Sequence, residues 1–455
     1  MQRLLKRFIR WLQRFVDTHE EMPSAQNLPV VSAISDIVEA PAVLGTGSDH
    51  DAQVETEHHA SSSVPDIVDE VTADDAPRGF TRVISFLGAH KYNETAYYME
   101  ENPTQKIKTR YTGYAMHQLC NADETLFFCT DKAINNYNDL LKDHPAFSTQ
   151  QRKIDIPDGT NTQQMWQIFQ LLTDQILDDD VLIIDVSGSL RSLPIIVSAS
   201  LQFLQEVRNI RIARVLYGAY DINASVETPI IDLKPFVDLN RWVNATHTFV
   251  HYAQGAELAQ ITHKMAASAQ DPWRKIGQRL SALTSALQLV HLSDVSRLAT
   301  ELITLIDDLP ANADISAEYL PNKMLLQKVA AEYQAFRQAE TVHAELQRQQ
   351  SIIRWYINHS LYAQAILLAH ELLISVSIYR EYRDGADKHM RTKMNDYDTR
   401  VAVNVDKVWG DLGKQIRLTR NNLAHALFRS ESVTSNVAKR KIVDLCERVI
   451  AITIT

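Results

Sequence analysis

This sequence predicts an α/β domain followed by an all-α one, on three observations. Short, continuously apolar runs alternate with helical periodicity from about residue 82 to residue 217. That alternation stops at the Ile230-Ile231-Asp232-Leu233-Lys234-Pro235 stretch. From Phe236 onward, apolar residues recur at helical spacing with no convincing strand among them.

The elements follow in order. Residues 82–87 (Arg-Val-Ile-Ser-Phe-Leu) read as a buried strand, with Gly88-Ala89-His90 as the turn after it. Residues 125–129 read as a second strand, followed by Thr130 and a helical run from Asp131. A third covers 181–186 and ends in Ser187-Gly188-Ser189, and a fourth covers 211–217. Helical patterns at 131–141, 162–177 and 192–207 lie between them. Strands joined through helices give a doubly wound, mostly parallel sheet. Ligands of such sheets sit beyond the carboxyl ends of the strands. The loops at 88–92, 130–132 and 187–192 would open on that edge. They are small, polar and backbone-rich, as a phosphate or nucleotide site requires. None is a Gly-x-Gly-x-x-Gly or a P-loop, which argues against a dinucleotide cofactor and against NTP hydrolysis.

The helical half reads as runs at 236–254, 273–290, 295–308, 323–350, 352–380, 402–416, 421–428 and 434–450. The domain boundary therefore falls near 235, giving an α/β domain over 78–235 and a helical one over 236–455.

Composition bounds the rest. The chain has 455 residues, enough for two or three domains, and is 45% hydrophobic, enough for sizeable cores. Its three cysteines (Cys120, Cys129, Cys446) form no Cys-x-x-Cys pair, which suits a reducing, cytoplasmic setting without a disulfide framework or zinc site. No apolar run reads as long enough for a membrane span. The net charge of −10 is uneven. Residues 1–16 hold five cations and no acid, and 17–77 hold fourteen acids and no Lys or Arg, so the remainder is near neutral. That body lacks the basic character of a duplex-binding protein.

Residues 1–16 place Leu4, Leu5, Phe8, Leu12 and Phe15 along one stripe with the cations mostly elsewhere. Such an amphipathic basic helix suits an anionic membrane surface or a partner protein, and it equally suits packing on its own chain. It lacks the form of a secretory signal. Residues 17–77 hold no Phe, Trp or Tyr and read as an acidic disordered linker.

One stretch of the helical half carries chemistry. Residues 416–428 (Ile-Arg-Leu-Thr-Arg-Asn-Asn-Leu-Ala-His-Ala-Leu-Phe) hold Arg420 and His425 in an apolar setting. A guanidinium offsets charge on a pentavalent phosphate, and an imidazole exchanges a proton near neutral pH. On a straight helix, five positions turn the two side chains about 140° apart. A helix cap at Asn421 or Asn422 would instead leave Arg420 outside the helix, free to fold toward His425. Read locally, a solvated arginine and a histidine at a helix seam account for the pair more readily than catalysis does.

Several of these landmarks together resemble a known family. Asp185-Val-Ser-Gly-Ser-Leu-Arg191-Ser-Leu-Pro194 resembles the Asp-x-Thr-His/Asn-Gly-x-Arg-Ser-x-Pro signature of CARF domains in type III CRISPR-associated ancillary proteins. Arg420-Asn421-x-x-x-His425 matches the Arg-x4-6-His motif of HEPN ribonucleases. Phe86-Leu87-Gly88, Tyr217-Gly218-Ala219, Trp355-Tyr356 and Gln364-Ala365 also look like that family. The order CARF then HEPN covers about 79–455.

The resemblance implies a Rossmann-like CARF domain that pairs as a homodimer or higher oligomer and binds a cyclic oligoadenylate. Binding would activate a HEPN pair that cleaves single-stranded RNA without a metal ion or other cofactor. On that reading Arg420, Asn421 and His425 are catalytic. Gly88, His90, Thr130, Ser187, Gly188, Ser189, Arg191 and Ser192 bind the ligand. Asp185 suits capping its own turn as well as touching ligand. Gly188 stands where the family often has His or Asn, and Ser189 where it often has Gly, so the resemblance leaves the ring size open. Two other functions compete: a non-catalytic sensor or scaffold acting through a partner or a membrane, and a ring nuclease that degrades the cyclic ligand.

Overall fold

The computed structural model describes residues 79–188, 193–219, 227–268, 270–310, 319–383, 385–425 and 434–454. The expectations for 1–16 and 17–77, and those for Ser189, Arg191 and Ser192, lie outside the described residues.

Along the first half run β1 (Thr81–Leu87), β2 (Thr95–Met99), β3 (Asn102–Thr109), α1 (Thr112–Cys120), β4 (Glu124–Cys129) and α2 (Ile134–Asp143). There follow β5 (Gln151–Asp155), α3 (Thr162–Gln175), β6 (Val181–Asp185), α4 (Leu193–Val207), β7 (Arg211–Gly218) and β8 (Glu227–Asp232). They build one eight-stranded sheet in the order β3-β2-β8-β7-β6-β1-β4-β5. β1 pairs in parallel with both β4 and β6, β4 with β5, and β6 with β7. Beyond β7 the sheet turns mixed: β8 is antiparallel to β7, β2 is parallel to β8, and β3 is antiparallel to β2.

β1, β4 and β6 are buried on both faces, which explains their unbroken apolar runs. Alternate residues serve the two layers. Ile84, Phe86, Leu126, Phe128, Leu182 and Ile184 pack with Ile168 and Leu172 of α3 and with Val197, Leu201 and Leu204 of α4. On the opposite face, Val83, Ile183 and Leu216 pack with Ala115 and Met116 of α1, and Leu87 and Phe127 with Leu140 of α2. Helices on both faces make the sheet doubly wound, as expected. The four strands expected from sequence are present, and β2, β3, β5 and β8 are additions.

The second half is helical among the described residues: α5 (Lys234–Tyr252), α6 (Ala256–Lys264), α7 (Pro272–Gln288), α8 (Leu292–Asp307), α9 (Tyr319–Tyr333) and α10 (Val342–Asn358). These continue into α11 (Tyr362–Tyr382), α12 (Asp387–Asn395), α13 (Tyr397–Ala402), α14 (Val405–Ala424) and α15 (Ser435–Ile450). Pro235 sits in the first turn of α5, where its missing N–H costs nothing.

Three helical expectations need correction. The single run at 323–350 is two helices, because the Thr341 hydroxyl caps a new start by accepting from the Ala344 amide at 3.1 Å. The break expected at 351 falls instead at 359–361, where Ser360, at φ 60°, makes the tight turn between α10 and α11. The gap expected between the runs at 402–416 and 421–428 is helical, and the break falls earlier, at Gly410 (φ 57°, ψ −128°), where helical segments 405–409 and 411–424 of α14 meet at a kink; residues 426–428 lie outside the described ones.

α11 also corrects the membrane reading. Its 21 residues, with mean hydropathy 1.3, meet the length and composition of a span. Leu368, Ala369, Leu372, Leu373 and Val376 are nevertheless buried in the one apolar core that runs from Trp242 to Ile454.

Candidate functional site

The chain reverses direction across the sheet at β1: β4 and β5 lie on one side, β6 and β7 on the other. A crevice at the carboxyl ends of β1 and β6 is the general place for a ligand in such a sheet. Asp185 closes β6 and is buried. Its Oδ2 accepts the Ser85 hydroxyl at 2.7 Å, and its Oδ1 accepts the Ser187 amide at 2.9 Å. Burial pushes the Asp185 carboxyl up, and the bonds from Ser85 and Ser187 oppose that shift. The Ser187 hydroxyl in turn accepts the Gly218 amide at 2.7 Å. Asp185 and Ser187 therefore fix the turn that presents Gly188.

On the β1 side, Asn136 of α2 holds the loop after the strand. Its amide donates to the carbonyls of Gly88 at 2.7 Å and His90 at 2.9 Å. The Gly88 amide donates to the Tyr92 hydroxyl at 2.8 Å. The Tyr92 ring lies 4.3 Å from the His90 ring and 5.7 Å from the Tyr111 ring, centroid to centroid. Burial first, then the nearby Asp185 carboxylate, pushes the Tyr92 phenol up to about 12, against the Gly88 bond.

A cavity of about 260 Å³ opens beside this loop, toward β4 and β5. Phe86, Phe128 and Ile156 give it apolar walls, and Gly88, His90 and Thr130 line it with them. Lys132 and Asp158, paired at 2.6 Å, also border it. Three of the expected ligand residues thus meet at one cavity. Ser187 and Gly188 stand on the β6 side and do not line it.

At the other end of the chain, α14 carries Arg420, Asn421 and His425. Asn404 caps its start by accepting the Lys407 amide at 3.1 Å. Gly410 supplies a backbone conformation that residues with a Cβ avoid. Gly413 lets the two segments approach: a Cβ there would stand 2.1 Å from the Val405 carbonyl oxygen. Asp406, before the bend, pairs with Arg417, after it, with Arg417 Nε at 2.9 Å.

The helix then continues unbroken to Ala424, so neither Asn421 nor Asn422 caps a helix start, and Arg420 is not released from it. Backbone pairing won over capping because Ile416 and Leu423 bury this stretch in the helical core. Arg420 donates to the Asn421 side chain at 3.4 Å, and both are half-buried. His425 is exposed at the helix C-terminus, where its backbone amide bonds the Asn421 carbonyl at 3.0 Å. The helical path from Arg420 to His425 turns about 140°, so one copy presents the two groups in different directions.

Two polar atoms on this same stretch, Thr419 Oγ1 and Asn422 Oδ1, are buried without a hydrogen-bond partner among the described residues. Behind α14, Glu371 of α11 meets His370 at 3.4 Å and Arg400 at 2.7 Å. These two partners hold its carboxyl down to about 2. The sequence reading missed this network and also Tyr92, Asn136 and Lys132. Tyr92 was the one with a signal: a lone aromatic four residues after Gly88 in a polar loop.

Among the described residues, no group of three or more His, Cys, Asp or Glu is placed to hold a metal ion.

Residues 238–337 match the family model for the second domain of CRISPR-associated protein MJ1674. That stretch runs from α5 to just past α9. CRISPR-associated protein MJ1674 of Methanocaldococcus jannaschii is itself 24% identical over 157 residues, which are 33% of this chain and 24% of that protein. The match thus spans about a quarter of that relative's length. Among solved structures, Enterococcus italicus Csm6 bound to cyclic hexa-2'-fluoro-hexa-dAMP aligns with a TM-score of 0.39 at 10% identity. That alignment covers 82% of this chain and 92% of that one. Residues 238–337, the first part of the helical half, are thus similar to a domain of a CRISPR-associated protein.

Proposed function

We propose that this chain is a cyclic-oligoadenylate-activated endoribonuclease of type III CRISPR defence, with a CARF sensor in the sheet domain and a HEPN site on α14. The observation that carries the reading is an arrangement. A segment matching a CRISPR-associated domain lies between a sheet edge where Gly88, His90 and Thr130 line a cavity and a helix that bears Arg420 and ends at His425.

RNA brings its own nucleophile. The 2'-oxygen attacks the adjacent phosphorus while the bond to the 5'-oxygen breaks, leaving a 2',3'-cyclic phosphate and a 5'-hydroxyl. The 2'-hydroxyl proton goes to one imidazole, and the departing 5'-oxygen receives a proton from another. Arg420 offsets charge on the phosphorane. Asn421, which accepts from Arg420, orients that guanidinium. Because a single α14 turns Arg420 and His425 apart, two copies related by a two-fold axis supply one site together. No step is routed through a metal.

The test is cleavage of single-stranded RNA in EDTA with a panel of cyclic oligoadenylates. Activity with one ring size, lost at least 100-fold in Arg420→Ala and in His425→Ala, is the expected result. Cleavage that survives both substitutions would falsify the site. Ligand binding with no cleavage at any ring size would favour a scaffold, and steady loss of the ring would favour a ring nuclease.

A further inference from the structure

The crevice between β1 and β6 is not open. Tyr92 reaches into it, and its hydroxyl accepts the Gly88 amide at 2.8 Å. A Cβ at Gly188, across the crevice, would stand 3.4 Å from the same hydroxyl. One phenol oxygen therefore lies against both glycines that follow the two central strands. The loop that carries it is tied down at Gly88 and His90 by Asn136. The Tyr92 ring also packs on the cluster containing Leu87 and Tyr111, which sets where the hydroxyl points.

We infer that Tyr92 is a displaceable stand-in for a phosphate oxygen: its hydroxyl occupies the Gly88 amide until a phosphodiester of the ligand replaces it. The inference rests on the reading that this edge binds a cyclic oligoadenylate. In the empty protein the half-buried Gly88 N–H needs an acceptor, and the phenol supplies one. The phenol stays neutral across physiological pH, because burial holds it at about 12. A phosphodiester is anionic and forms the stronger, charge-assisted bond. Exchange of one acceptor for the other is therefore downhill, but only by the difference between two bonds. Tyr92 thus stabilises the empty site and raises the ligand concentration needed to fill it.

The test is calorimetric titration of the full chain with cyclic tetra- and hexa-adenylate, comparing wild type with Tyr92→Phe and Tyr92→Leu. Both variants remove the hydroxyl and keep an apolar side chain in the cluster. Each is expected to bind the preferred ring roughly 3- to 10-fold tighter, the span of one net hydrogen bond. Hydrogen exchange supplies a second measurement. The peptide containing Gly88 is expected to exchange faster in each empty variant than in empty wild type, and at the same rate once ligand saturates. If wild type binds and both variants bind equally or more weakly, the stand-in is refuted while the sensor reading survives. If wild type binds neither ring, both fall together.

Discussion

Gly410 offers a sharp test of how the fold presents Arg420 and His425. Its φ of 57° with ψ of −128° is open to glycine and strained for any residue with a Cβ. Nothing lies within 4 Å of a Cβ built there, so Gly410→Ala meets no steric clash and its whole native-state cost is backbone strain. That strain is about 1–3 kcal/mol. Reduced freedom of the unfolded chain returns about 0.4–1 kcal/mol. The net loss is centred on about 1.3 kcal/mol, within about 0–2.6, equivalent to roughly a tenfold shift in a local opening equilibrium. Hydrogen exchange across 405–424 is the assay, with RNA cleavage measured alongside. Faster exchange on both sides of the bend and weaker cleavage are expected. Gly410→Asn separates the cause: asparagine relieves left-handed helical dihedrals, not this ψ, so it should behave like alanine. Protection equal to wild type in Gly410→Ala, or recovered in Gly410→Asn, would refute the argument.

Two further outcomes follow from the ion pairs. Glu371, held at about 2 by His370 and Arg400, adds stability above its unfolded value near 4.5 and loses it as pH falls through 2. Glu371→Gln should therefore lower the thermal midpoint at pH 7, with the gap closing below pH 4.5. The loss should be only about 1 kcal/mol, because the carboxylate is 41% exposed and solvent screens the pair. Arg82 is buried between Glu124 and Asp180 near the amino end of β1. Arg82→Met leaves the buried Asp180 without its cation, while Glu124 keeps Arg152 at 2.8 Å, and should cost about 3 kcal/mol in urea unfolding. Ligand affinity below the transition should not change, since the site lies at the opposite end of the strand.

The central strands were legible because burial on both faces leaves an apolar run that needs no partner to recognise. β3 and β5 were not. Asn-Pro-Thr-Gln-Lys-Ile-Lys-Thr and Gln-Arg-Lys-Ile-Asp are edge strands whose polar side chains blunt the open side of the sheet, and Lys106 and Lys108 find acids at Glu227 and Glu94. Their residues carry no periodic hydrophobic signal, so only the pairing reveals them. At the site, Gly88, His90 and Thr130 were readable as loop residues following strands. The Tyr92–Gly88 bond was not, because a side chain reaching back to its own loop leaves no mark in spacing. On α14, the spacing put the break after 416, whereas the chain stays helical there because Ile416 and Leu423 are in the core, and it breaks at Gly410, whose positive φ leaves no periodic mark.

The sheet's mixed edge has a consequence for how the chain is made. Ala96 of β2 pairs with Glu227 of β8, and β8 in turn depends on β7. A ribosome delivers the β2–β3 hairpin long before the strand that must flank it. Until residue 232 has emerged, the hairpin has one side unpaired and its Tyr97 and Met99 without the full cover they later have. An isolated hairpin is marginal in water, so translation must run past β8 before this edge can set. Arrest before that point should leave a nascent chain prone to strand-on-strand aggregation, and arrest after it should not.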